Sequence, residues 1–203
     1  MTHPNRVQPD GTFLAIPARG TLTGNRGVLH DAEGVIGPAR WRHRAWISCE
    51  LSFRGRHRPI MPPGRWTALF FLDEAVAMAA GHRPCGECRR GDYRAFAGAW
   101  ACAHGDWPGP RRADAMLHAA RAVPGARRLR SHEAEAATLP DGAIFRGESG
   151  FALAWGGRAL RVMPDGYGRP GRLPVGQVEV LTSAPMLDVL RAGYAPRLHP
   201  TAA

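Results

Sequence analysis

The sequence predicts an α+β fold: a small zinc-stabilised core with flanking helices, followed by a C-terminal β-hairpin unit. Three observations predict it. The stretch 73–81 starts on Asp73, runs through strong helix formers and stops at Gly81, as a short capped helix does. Tyr93, Phe96 and Trp100 recur at i, i+3 and i+7, the apolar stripe of a second helix. From Asp141 onward the texture changes to short β-type runs separated by glycine turns. With 44% apolar residues, the 203-residue chain can bury a proper core without disulfides.

Taken in order, Phe13 to His30 reads as short strands and turns, with Gly20, Gly24 and Gly27 keeping the backbone mostly in loops. Around "AWISCELSF", the alternate positions Trp46, Cys49, Leu51 and Phe53 predict a strand with one shift of face. Pro59, Pro62, Pro63 and Gly64 break the chain before "WTALFF", a compact apolar run typical of a buried strand. After the 73–81 helix come a second over 92–104 and a third over 112–122, with Arg127 to Arg130 a solvated turn. "GAIFRGESGFALAWGGRALRV" predicts two strands about a turn, 163–174 a Gly/Pro-rich loop, "GQVEVL" another strand and 185–192 a last helix. The breaks divide the chain into a basic, metal-binding α+β part at 1–107, a helical connection at 108–140 and a β-rich unit at 141–203. No apolar run approaches the ~18–20 residues of a membrane span, and the N-terminus carries no secretory pattern, which predicts a soluble, cytoplasmic protein with no membrane partner.

Charge narrows the functional classes. Twenty-seven basic residues stand against 17 acidic ones, and every basic one is arginine. Lysine-dependent chemistry is therefore excluded, whether Schiff-base catalysis or a P-loop. A net charge of +10 favours a polyanionic partner, because guanidinium forks pair with phosphates and release counterions. Coding bias in a GC-rich genome is the competing explanation. Arg40, Arg42, Arg44, Arg54, Arg56, Arg58 and Arg65, interleaved with Trp41, Trp46 and Trp66, form the densest basic and aromatic stretch. If 40, 42 and 44 lie on a strand, they share one face and make a stripe that tracks a nucleic-acid backbone. Arg83, Arg89 and Arg90 would extend that positive surface.

The cysteines are Cys49, Cys85, Cys88 and Cys102. Cys85-Gly-Glu-Cys88 is a C-x2-C knuckle, a spacing that lets two thiolates converge on one tetrahedral ion. A redox dithiol or two unrelated buried thiols are the other readings. The pair follows a helix rather than a strand of a βαβ unit, which favours metal.

The 22 residues from Leu69 to Arg90, "LFFLDEAVAMAAGHRPCGECRR", resemble the second half of the Ada-type zinc domain, the bacterial DNA methyl-phosphotriester repair module. That family has aromatic strands, an Ala-rich helix ending in A-A-G-F-R-P-C, two residues and a further cysteine. The resemblance places Cys85 and Cys88 on the family's second pair of zinc ligands. It implies that Cys49, the sole upstream cysteine, is both a ligand and the acceptor of an alkyl group. The family's first pair is C-x3-C, whereas Phe53 stands four residues after Cys49. The fourth ligand is then open among His57, His82, Cys102, His104 and water, with His57 preferred by its distance to Cys85. Loss of one thiolate lowers sulfur nucleophilicity and moves the site toward the three-ligand-plus-water arrangement of hydrolytic zinc.

One more constellation carries chemistry. "TGNRGVLHD" sets Asn25, Arg26, His30 and Asp31 in a glycine-bearing loop able to hold a phosphate or supply a general base, although turn building accounts for the same residues. The expectation is a Zn2+ protein that binds DNA, with Cys49 as alkyl acceptor or His30 and Asp31 assisting a zinc-bound water. An enzyme of unrelated substrate built on the 25–31 loop, with zinc kept for structure alone, and a non-catalytic interaction protein are the alternatives.

Overall fold

The computed structural model describes residues 2–55 and 59–202. In chain order the elements are β1 (Arg6–Val7), β2 (Phe13–Leu14), β3 (Leu22–Asn25), β4 (Ile47–Glu50), β5 (Leu69–Phe71), α1 (Glu74–Ala79), β6 (Arg83–Pro84), α2 (Arg90–His104) and α3 (Pro110–Arg121). There follow β7 (His132–Glu135), β8 (Ile144–Gly147), β9 (Gly150–Trp155), β10 (Arg158–Met163), β11 (Gly166–Arg172), β12 (Gln177–Val180) and α4 (Ala184–Arg191). An α+β architecture results. Among the described residues no helix is long and apolar enough to cross a membrane.

Two six-stranded sheets carry the fold. The first runs β2-β1-β5-β3-β4-β6 and the second β11-β10-β9-β8-β12-β7. The central strands of the second sheet, β8 and β9, bury residues on both faces. Ile144, Leu153 and Leu160 point to the core shared with β5 and α1, whereas Phe145, Ala152 and Ala154 point to the core shared with α2 and α4. This explains the unbroken apolar run "FALAW": a strand covered on both sides has no polar face to alternate with.

Helix α1 lies between the sheets, and every one of its residues is buried. The Asp73 carboxylate caps it by accepting from the Val76 amide at 3.0 Å, and Gly81 leaves it at φ 89°, where a side chain would be strained. The same aspartate accepts from the Tyr167 hydroxyl at 2.7 Å and the His199 amide at 2.9 Å. Glu74 accepts from the Tyr194 hydroxyl at 2.5 Å and the Arg197 amide at 2.9 Å. The N-terminus of α1 thus ties the segment after position 140 to the part before it, and both cores mix residues from the two.

Several expectations are corrected. The strand around "AWISCELSF" stops at Glu50, because Arg54 and Gly55 turn at positive φ and Leu51 faces solvent. Residues 40–44 form bends rather than a strand, so Arg40, Arg42 and Arg44 do not share a strand face. The run from 143 to 162 holds three strands instead of two, with turns at 148–149 and at the Gly156–Gly157 pair. The expected 163–174 loop is the strand β11; it accommodates Pro170 because it lies at the sheet edge. β7 had no sequence signal.

Candidate metal centre

The site is built by one strand pairing. β6 runs parallel to β4 with Ile47 opposite Arg83 and Ser48 opposite Pro84, and the Cys85 amide continues the ladder to the Ser48 carbonyl at 3.0 Å. That register brings the knuckle beside Cys49, which itself faces Thr23 across β3. The Cys49, Cys85 and Cys88 sulfurs all lie within 4.8 Å of one another. Cys49 is buried, and Cys85 and Cys88 are half-buried.

Backbone amides favour charge on these sulfurs. The Glu87 amide donates to Cys85 Sγ and the Glu50 amide to Cys88 Sγ, each at 3.4 Å. A hydrogen bond from the Cys49 thiol leads the causes that bring Cys85 down to about 5, and donating it, together with burial, pushes the Cys49 thiol up. Burial also raises Cys88. Without a cation, the three thiols share their protons so that negative charge concentrates on Cys85. A divalent ion removes that conflict, since it lets all three be thiolates at once. Three converging sulfurs are a soft donor set of the kind zinc takes. These residues therefore fit a metal ion.

Other expected ligands stand elsewhere. Among the described residues the cluster contains no further His, Cys, Asp or Glu. His82 is enclosed, with its ring 4.5 Å from Phe71 and 5.7 Å from Trp46. Cys102 is exposed on α2, and His104 packs against Trp100. His57, Arg56 and Arg58 lie outside the described residues.

Two of the arginines expected on the positive surface are interior. Arg83 forks onto Asp114 at 2.6 and 2.8 Å, and Arg89 reaches Glu74 at 2.6 Å, Asp92 at 2.7 Å and Ser48 at 2.9 Å. Both are almost fully buried, so they hold the knuckle against α1, α2 and α3 instead of meeting a phosphate. Arg42, Arg44, Arg54 and Arg90 are exposed, and Arg40 is half-buried. Comparison of the chain with protein-family models, curated proteins and solved structures finds no match.

The 25–31 loop spends its polar groups on contacts within the fold. His30 is buried, its ring nitrogens at 2.6 Å from Thr67 Oγ1 and 3.3 Å from the Pro62 carbonyl. Asp31 accepts from the Glu33 and Val35 amides and builds a turn. Arg26 is fully buried, 4.3 Å above the Trp46 ring. Neither His30 nor Asp31 belongs to the sulfur cluster.

One neighbour of the sulfurs had no sequence signal. Arg197 bonds Glu50, the residue after Cys49, and lies 3.1 Å from Asp92. The backbone hydrogen bond from Arg197 to Glu74 brings it there from 123 positions along the chain. No local pattern encodes such a contact.

Proposed function

We propose that this protein is a zinc-thiolate protein that binds DNA, with the metal held by Cys49, Cys85 and Cys88. One observation carries the reading: three sulfurs from two distant parts of the chain lie within 4.8 Å of one another. A bound zinc would keep the sulfurs deprotonated at neutral pH and supply Lewis acidity beside them. The chain's own residues do the rest. Cys85 and Cys88 present the half-buried side of the centre, and exposed Arg90 stands two residues after Cys88. The net charge of +10, carried entirely by arginine, supports a phosphate-bearing partner. The likeness of 69–90 to the Ada-type domain supports both zinc and DNA, possession of an alkylated substrate being a narrower step. Cys49, the sulfur matched to that family's acceptor, is the buried member of the three. Burial of that sulfur does not favour alkyl transfer to it, so binding is the function we infer.

Zinc content and DNA affinity test the reading together. We expect about one zinc per chain, lost in Cys49→Ser, Cys85→Ser or Cys88→Ser and kept in Cys102→Ser. Affinity for random-sequence DNA should fall steeply, by about a hundredfold or more, between ~50 and ~200 mM salt, and should weaken in Arg42→Ala/Arg44→Ala. A protein that purifies without zinc and does not take it up, or DNA binding with no salt dependence, overturns the proposal.

A further inference from the structure

We infer that the cavity between the Gln8–Thr12 turn, the C-terminal end of α3 and the paired strands β8 and β12 is an oxyanion site built to take a phosphate group. It is independent of the metal centre, since none of the three cysteines lines it.

The cavity holds about 260 Å³ and is lined by Arg40, Arg121, Arg127, Arg128 and Arg146 against Asp10 and Glu179. Sites for drug-sized ligands run from roughly 300 to 1,000 Å³, so this one suits a small ion or a single ligand group. Both carboxylates offset part of this charge, and both are already engaged. Glu179 is held by Arg146 at 2.7 Å, and Asp10 accepts from the Thr12 amide and hydroxyl at 2.9 and 2.7 Å. Arg127 and Arg128 are exposed on the rim, and among the described residues neither is within ion-pair distance of an acid.

The floor is more unusual than the rim. Arg121 is almost completely buried and donates only to carbonyls, those of Ala79 at 2.6 Å, Pro9 at 2.7 Å and Arg130. Behind it lies Arg26, fully buried, with one hydrogen bond to the Ala80 carbonyl at 2.9 Å; its Nε and Nη1 have no partner among the described residues. Gly11, which lines the cavity, covers Arg26: a Cβ placed there would stand 3.7 Å from Arg26 Nη1. Two buried guanidiniums, neither in a direct ion pair among the described residues, carry a desolvation cost that an anion offsets. The cost is visible in their acidities, since burial first and repulsion from Arg121 second bring Arg26 down to about 9, and burial brings Arg121 to about 9 against the opposing pull of Asp10 and Glu179. The carbonyls of α1's C-terminus recover part of it. An oxyanion seated against Arg121, with Arg40, Arg127 and Arg128 around it, recovers more, because charge-assisted guanidinium–phosphate bonds are about twice as strong as neutral ones.

The phosphate can be free or part of a nucleic-acid backbone, and one titration distinguishes these sources. The zinc-loaded wild-type chain is titrated with inorganic phosphate at constant ionic strength set by chloride, and then with a short single-stranded DNA oligonucleotide as competitor. We expect saturable phosphate binding that weakens about tenfold or more in Arg127→Ala/Arg128→Ala and is unchanged in Arg94→Ala/Arg158→Ala, which removes equal charge from exposed positions elsewhere. Displacement of phosphate by the oligonucleotide assigns the site to a backbone phosphate, and its absence to a free one. Either result supports the site. Absence of saturable phosphate binding, or equal affinity in Arg127→Ala/Arg128→Ala, overturns it. Arg121→Gln removes the floor, but its effect on folding makes the two rim arginines the deciding pair. Cys85→Ser should bind phosphate normally, so failure of the zinc reading leaves this one intact and the reverse.

Discussion

His82 sits three residues before the knuckle, and its ring does something other than ligate. Among the described residues neither ring nitrogen makes a well-formed hydrogen bond, and burial, then the nearby Arg26 charge, holds its pKa well below the usual imidazole value. A folded-state pKa below the unfolded one means that stability is complete above about 6.5 and is lost as pH falls below that, when the unfolded chain takes up a proton the folded one refuses. His43, His118 and His132 are lowered mainly by burial and act with the same sign. His82→Leu should therefore flatten, without abolishing, the fall in urea midpoint between about pH 7 and pH 5; an unchanged profile contradicts the assignment. The Arg83–Asp114 pair makes a second case. Both side chains are more than nine-tenths buried, so Asp114→Asn leaves a guanidinium half-paired in the interior and should cost about 3–5 kcal/mol in denaturant unfolding. Arg83→Met/Asp114→Leu should recover most of that loss; failure to recover would mean the pair does more than cancel its own charge. These two residues also mark a limit of the sequence. The spacing of Cys85 and Cys88 announces convergence because the turn itself performs it, whereas an arginine reads as surface until the fold supplies a carboxylate 31 positions away.

The four helices were legible to within about two residues, since caps, a proline at the start of α3 and the 3.6-residue stripe are all local signals. The strands were less so. β11 hides its identity behind three glycines and a proline, tolerated because only β10 pairs with it. β6 is two residues long, too short to announce itself, yet its pairing with β4 sets the distance from Cys85 to Cys49. Strands of the first sheet were legible singly, but their pairing, and with it the sulfur cluster, was visible only as an expectation about cysteines. α1 carries more than its own stability. Asp73→Ala removes its cap and strands the buried Tyr167 hydroxyl and the His199 amide, so it should cost roughly 2–4 kcal/mol by urea unfolding. Tyr167→Phe removes one of those bonds and should cost about 1–2 kcal/mol. If Asp73→Ala costs no more than an isolated helix cap, about 1 kcal/mol, the carboxylate does not join the two halves of the chain.

The division at 107 and 140 follows breaks in sequence texture, but apolar burial follows another plan. Alternate residues of β8 and β9 enter different cores: Ile144 and Leu153 join Val7, Leu22, Leu69 and Phe71, whereas Phe145 and Ala154 join Phe96, Trp100 and Leu187. Each core is thus closed by strands from beyond position 140 and by elements from before it. A chain ending at 140 would expose one side of both cores and would leave Asp73 and Glu74 buried partners without Tyr167, Tyr194 and Arg197. Separating such halves would open both cores, and a domain has only about 5–15 kcal/mol in total, so neither half should persist as a folded body. Calorimetry of the whole chain should show one transition whose calorimetric and van't Hoff enthalpies agree, and the fragment 1–140 should lack a cooperative transition and a near-ultraviolet tryptophan signal. Two resolved transitions, or a fragment 1–140 that melts cooperatively with its zinc in place, would mean that the metal centre is self-sufficient and that β8 and β9 only lean on it.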